Sequence, residues 1–219
     1  MNWREGALWA FLFALLFGVG WFRGAHPDFH WQDYFSSSKP LVILTPNRDW
    51  LPESFVQRLS KEIDQEIRIE VVEDFADFEA RLIPMDSPPL LWMPSSWAEA
   101  LGSQGLLTEL APQSPWVRDQ VSADFIQPVT ARLFFVPLLW DVEDQSLRVE
   151  GVAIPHGGEN RAAALAALRK WLKPTVALAH VRDVPEAATT VLSLEEKNLP
   201  HEKRASSLRD FNFKTLKIR

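Results

Sequence analysis

Residues 41–65, LVILTPNRDWLPESFVQRLSKEIDQ, decide the fold. The stretch opens on an apolar run, Leu41-Val42-Ile43-Leu44, and turns through Thr45-Pro46-Asn47-Arg48-Asp49-Trp50. Phe55, Leu59 and Ile63 then recur four apart, with Glu53, Gln57, Arg58, Lys61 and Glu62 between them. An apolar run bounded by a turn predicts a buried strand, and the four-residue spacing predicts one helix face. Pro52 suits the first turn of that helix, and Glu53 suits its positive end. The unit is strand, polar loop, helix. Its loop lies at the carboxyl end of the strand, where open α/β sheets hold their ligands.

Downstream the pattern repeats. Glu66-Ile67-Arg68-Ile69-Glu70-Val71-Val72 alternates charged and apolar residues, a strand of period two. Phe75, Phe78 and Leu82 fall three and four apart, a short helix that Pro84 ends, and Asp86-Ser87-Pro88-Pro89 is a turn. Leu90-Leu91-Trp92-Met93 reads as a third buried strand. Pro94-Ser95-Ser96 follows, with a serine as candidate N-cap for a helix through Trp97, Ala100 and Leu101. Such alternation of strands and helices implies a parallel sheet with right-handed crossovers.

The N-x-x-W loop, the P-E-S-F helix start and the IRIEVV strand, in that order, resemble the opening of the periplasmic solute-binding proteins of ABC transporters, nearest the polyamine and iron binders. Pro94-Ser95-Ser96-Trp97 and Gly105-Leu106-Leu107-Thr108-Glu109-Leu110 resemble that family's next segment. Residues 132–140, RLFFVPLLW, resemble its strand leaving the first lobe for the second. Gly151-Val152-Ala153-Ile154-Pro155, Gly157-Gly158-Glu159-Asn160 and an alanine-rich helix resemble the return segment. In that helix Leu165, Leu168 and Leu172 recur three and four apart, and Lys173-Pro174 ends it. The resemblance covers residues 41–113 and 131–213. It departs from the family between the outgoing and returning strands. A whole second lobe stands there in the family; here only Asp141 to Glu150 does, with a polar turn at Glu143-Asp144-Gln145 that reads as a hairpin. The expected fold class is therefore α/β: a single lobe of a periplasmic-binding-protein-like fold over 40–219, a mostly parallel sheet flanked by helices. Hinged closure around a ligand needs two lobes, so this chain should lack it.

The resemblance implies a solute-contacting set at the strand ends: Asn47, Asp49, Trp50, Ser95, Ser96, Trp97 and Trp140, with Arg48 beside them. These residue types form a polar and aromatic rim, suited to an ammonium over a tryptophan face or a carboxylate on Arg48. The competing reading is solvated loop polars and packing tryptophans. With half a cleft, ligand burial falls below that of an ordinary site, so small-molecule affinity should be weak.

Gly6 to Phe22 is 17 residues without a charge. As a helix it reaches about 26 Å, slightly short of the hydrocarbon core. Uncleaved anchor, cleaved export signal and buried core helix are its three readings, in that order. The expected organisation is a membrane helix over 1–23, a linker over 24–39 containing Ser36-Ser37-Ser38, and the lobe. The location is the periplasmic side of a bacterial inner membrane, or the periplasm itself if the segment is cleaved. An inner-membrane permease or other membrane protein is the partner the resemblance implies, with a weakly held solute beside it. A receptor for a polyamine-like solute, completed by dimerisation, is the alternative.

The remaining signals exclude more than they assign. The net charge of -6 argues against nucleic acid. Cysteine is absent, which removes thiolate nucleophiles, disulfides and cysteine metal sites. His26, His30, His156, His180 and His201 show no metal-ligand spacing, so no metal or cofactor is expected. Ser95-Ser96 lacks the setting of an esterase nucleophile, and no catalytic set emerges. Gly157-Gly158 before a helix start suits a phosphate or, more simply, a plain turn. The tail from His201 carries Lys203, Arg204, Arg209, Lys214, Lys217 and Arg219. It reads as a patch for anionic lipid or an acidic partner, or as a frayed terminus. Ten tryptophans against one tyrosine have no explanation at this level.

Overall fold

The computed structural model describes residues 9, 13, 14, 16–18, 40–82, 90–110, 116–122, 125, 133–143, 146–157, 161–192, 199–210, 217 and 218. The chain divides into two units, Met1–Ser37 and Ser38–Arg219. In the first, Trp9, Phe13, Leu16 and Phe17 are helical and exposed. No helix among the described residues is long and apolar enough to cross a membrane. Most of the expected helix at 6–22, all of the linker at 24–39 and the turn at 86–89 lie outside the described residues.

The second unit is built on one sheet. Its strands are β1 (Leu41–Thr45), β2 (Ile67–Val71), β3 (Leu90–Pro94), β4 (Phe135–Glu143), β5 (Ser146–Ala153), β6 (Ala188–Thr189) and β7 (Lys217–Ile218). The helices are α1 (Glu53–Ile63), α2 (Phe75–Ala80), α3 (Ser95–Ser103), α4 (Trp116–Gln120), α5 (Arg161–Trp171) and α6 (Pro174–Asp183). The strand order is β2-β1-β3-β5-β4-β6, with β7 beside β5.

The sheet is mixed rather than mostly parallel. β1 pairs parallel with β2 and β3, as the helical crossovers require. β5 lies antiparallel to both β3 and β4, and β6 antiparallel to β4. The cause is the short connection. Glu143 pairs with Ser146, so two residues join β4 to β5, and a connection that short allows only an antiparallel return. The expected hairpin is thus present, between β4 and β5. Gly151 lets it close: a Cβ there would lie 2.0 Å from the Val136 carbonyl oxygen. The ladder slips between Pro137 and Leu139, the kind of bulge at which a strand tolerates proline.

Two apolar layers cover the sheet. On one face Leu41, Ile43, Trp92 and Val152 pack against Phe55 and Leu59 of α1, Leu168 and Trp171 of α5 and Val176 and Val181 of α6. On the other, Leu44, Leu91, Met93 and Ala153 pack against Phe78 of α2 and Ala98 and Leu101 of α3. Neighbouring residues of β1 and β3 serve opposite faces, which is why both strands read as continuous apolar runs. Pro174 ends α5 and also opens α6, at the first-turn position where its missing N–H costs nothing. Gly157, at φ 76°, forms a turn; Gly158 to Asn160 lie outside the described residues.

Part of the basic tail belongs to this body. Lys203 donates to the carbonyls of Pro185 and Ala187, and Arg204 Nε donates to the Leu199 carbonyl at 2.9 Å. These two cations fix the segment His201–Asp210 to the lobe, so neither a lipid-facing patch nor a frayed end describes them. Lys214 and Arg219 lie outside the described residues.

Candidate binding site

β1 and β3 are adjacent and parallel, so their carboxyl ends open on the same side of the sheet. Ile43 sits opposite Leu90 and Leu44 opposite Leu91. Continuing that register brings Asn47 level with Pro94. The loop after β1 is shaped by Thr45. Its buried hydroxyl donates to the Asn47 carbonyl and receives the Asn47 N–H at 3.3 Å. Leu51 N–H then closes a turn on the Arg48 carbonyl at 2.9 Å, leaving Arg48 and Asp49 exposed.

At the end of β3 the helix starts without a side-chain cap. The N-cap of α3 is Pro94, and Ser95 is already its first residue, so neither serine caps as expected. The reason is backbone geometry: Pro94 holds an extended conformation at φ -68°, ψ 151° and takes the boundary position. Ser95 Oγ is buried and has no hydrogen-bond partner; Asn47 Oδ1 is in the same state. Native interiors pair nearly all such atoms, and an unpaired one costs about 1–3 kcal/mol. Both lie at the ends of adjacent strands, beside the start of a helix whose first N–H groups lack intrahelical partners, and the exposed side chains there are Arg48, Asp49 and Ser96.

The tryptophans depart from the expected rim. Trp50 is 1% exposed and Trp140 2%, so both are core residues. Trp140 donates its indole N–H to the Thr189 carbonyl at 2.9 Å and packs with Phe125, Leu147 and Val149. Trp97 is half-buried and takes Phe75 and Phe78 edge-on, at 5.0 and 5.3 Å between ring centres. The structure thus brings Asn47, Arg48, Asp49, Ser95 and Ser96 to the strand ends. It commits Trp50, Trp97 and Trp140 to packing within the fold. Apolar bulk wins because each indole finds ring or apolar partners within the fold: Trp50 and Trp140 fully, Trp97 in part.

Behind Trp50 lies a network the sequence did not reveal. Trp171 donates its indole N–H to His180 Nδ1 at 3.1 Å, and His180 Nε2 lies 2.7 Å from the Trp50 carbonyl. Nδ1 accepts, so Nε2 carries the proton. His180 stacks on Phe55 at 3.9 Å, and Trp92 stacks on Trp171 at 5.4 Å. Burial pushes the His180 pKa down to about 3, against a smaller opposite pull from the Trp50 carbonyl. Trp92 also donates to Glu150 at 2.5 Å, and Arg148 binds the same carboxylate. One signal for this was available: Arg148 and Glu150 are two apart, hence on one face of any strand. His180 carried none, because its partners are remote in sequence. No group of His, Asp or Glu among the described residues is placed to hold a metal ion.

No protein-family model and no curated protein matches this chain. Solved structures do. PotD of Streptococcus pneumoniae, a spermidine/putrescine ABC transporter substrate-binding protein, matches with a TM-score of 0.66 at 11% identity, over 83% of this chain and 93% of that one. The fold is that of an ABC-transporter substrate-binding protein. The Tp0655 (TpPotD) lipoprotein of Treponema pallidum matches at TM-score 0.61 and 10% identity, over 83% and 94%. The bacterial solute receptor AcbH matches at 0.63 and 8%, over 82% and 87%. The first of these is named as a substrate-binding protein, the second as a lipoprotein and the third as a solute receptor. Among the described residues the buried polar side-chain atoms without a partner are Asn47 Oδ1 and Ser95 Oγ at the strand ends of β1 and β3, and Trp116 Nε1 on α4.

Proposed function

We propose that this chain is a membrane-tethered periplasmic binding module that keeps one lobe of a solute-binding protein. It presents the β1 and β3 strand ends to a membrane partner, such as a permease, or to a weakly held solute. Asn47, Asp49, Ser95 and Ser96 make the contacts. Trp50 and Trp97 pack beside them, and Trp140 packs in a separate cluster with Phe125, Leu147 and Val149. The single observation behind this reading is the pair of buried, unpartnered atoms, Asn47 Oδ1 and Ser95 Oγ, at adjacent strand ends. The uncharged segment 6–22 supplies the tether.

The absence of cysteine makes a clean test available. A single cysteine at Ser96 carries a photo-cross-linker at the strand ends; one at exposed Lys61, near the far end of α1, serves as control. In native membranes an adduct with one membrane protein from position 96 and not from 61 supports the partner reading. Equal adducts, or none from 96, oppose it. The alternative, a receptor for a polyamine-like solute completed by dimerisation, requires two chains per tightly held solute and is checked by calorimetric stoichiometry.

A further inference from the structure

Glu150 is 1% exposed, yet carries a carboxylate. A buried charge survives only when paired and hydrogen-bonded. One oxygen receives the Trp92 indole N–H at 2.5 Å. The other receives Arg148 Nε at 2.9 Å and Nη2 at 2.5 Å. The guanidinium carbon of Arg148 sits 4.3 Å from the centre of the Trp50 ring. A buried carboxylate beside an indole face is the chemistry of a site for a planar or alkylated cation. The Arg148 side chain is 28% exposed, so the slot opens to solvent on the side from which Arg148 fills it. Its walls come from three separate parts of the fold: the loop after β1, β3 and β5. The occupant, Arg148, lies on β5 with Glu150.

The geometry points to a cation slot, formed by Trp50, Trp92 and Glu150, of which Arg148 is the built-in occupant. The native chain therefore binds no amine or guanidine solute there, and Arg148 is the residue that excludes them. Removal of its side chain creates a binding site for a small guanidinium ion. The inference stands apart from the proposed function, because the slot is closed whether or not the strand ends bind anything. It does narrow the solute class: polyamines do not enter at Trp50.

The test uses the full chain in detergent and methylguanidinium as probe, with sodium chloride as the ionic-strength control. Arg148→Ala should melt well below the native chain. Methylguanidinium at low millimolar concentration should raise its melting temperature by about 3 °C or more, while leaving the native chain unmoved. In Arg148→Ala/Glu150→Gln the response should disappear. An equal response in the native chain, no response in Arg148→Ala, or an undiminished response in the double variant overturns the proposal. Should Arg148→Ala not fold without the probe, Arg148→Lys and Arg148→Met decide. The ammonium should hold the slot and keep the melting temperature clearly above that of the methionine variant; equal melting of the two overturns it.

Discussion

Trp171 donates its indole N–H to Nδ1 of His180 at 3.1 Å, so the imidazole is held as the Nε2–H tautomer between Trp171 and the Trp50 carbonyl. Both ring nitrogens are satisfied only while the ring is neutral. A proton on Nδ1 would face the Trp171 N–H, two donors with no acceptor. The same network ties α5 and α6 to the loop that leads out of β1, so the state of one buried ring bears on the position of the candidate site.

A pH dependence of stability follows. His180 has a folded pKa of about 3 against an ordinary value of 6.5. Between those values the unfolded chain binds a proton that the folded chain refuses, so stability rises with pH. The contribution is complete above pH 6.5 and is lost as pH falls toward 3. The slope from this residue is at most about 1.4 kcal/mol per pH unit. Urea denaturation of the native chain from pH 7.5 to 4.5 should show it. His180→Leu should be less stable at pH 7.5, because it leaves Trp171 N–H and the Trp50 carbonyl unpaired, and should show a visibly flatter profile. An unchanged profile counts against the assignment.

The hairpin of β4 and β5 depends on Gly151. Its missing Cβ is filled by backbone, the Val136 carbonyl and Pro137 Cα, neither of which can rotate away. Gly151→Ala should cost at least about 3 kcal/mol or prevent folding. Gly105, at φ 75° with open space around it, is the comparison: Gly105→Ala should cost only about 1 kcal/mol. Thermal melts of both variants check the difference.

The unpartnered polar atoms predict a trade between stability and binding. Ser95→Ala removes a buried hydroxyl that has no hydrogen-bond partner. It should stabilise the chain by about 1 kcal/mol, while weakening whatever contact the strand ends make. Chemical denaturation reads the first effect. Loss of stability on this substitution would mean that the hydroxyl already has a partner.

Trp97 should behave as a packing residue. Trp97→Ala removes its contacts with Phe75 and Phe78 and should cost about 2–3 kcal/mol, less than a fully buried tryptophan because the side chain is half-exposed. A variant of native stability that has lost binding would instead place Trp97 on the rim.

The legible parts of the fold are those set by local pattern. Leu41 to Leu44, the alternation from Ile67 to Val71 and the spacing of Phe55, Leu59 and Ile63 each carry their own period, and each element lies where that period put it. The hairpin was legible as a polar turn between two apolar runs. Strand direction was not. The alternation of strands and helices stops after β3, and the antiparallel half follows from a connection length, not from a period. The site was half legible for a similar reason. Asn47, Asp49, Ser95 and Ser96 lie at the strand ends because short polar residues after an apolar strand have nowhere else to go. The fate of a tryptophan depends on what distant elements bring to it: Trp50 meets Arg148 and His180, about a hundred residues away in sequence or more. The tryptophan richness gains part of its explanation there, since Trp50, Trp92 and Trp171 fill one continuous core.

The most direct test of the central claim is a thermal-shift panel on the full chain and on Asn47→Ala/Ser95→Ala, with amino acids, sugars, phosphates, metal ions and polyamines. A solute present at a hundred times its dissociation constant adds about 2.7 kcal/mol, enough to move the melting temperature by a few degrees. The account predicts a shift with one solute class in the native chain and none in the double variant. An equal shift in the double variant would contradict it.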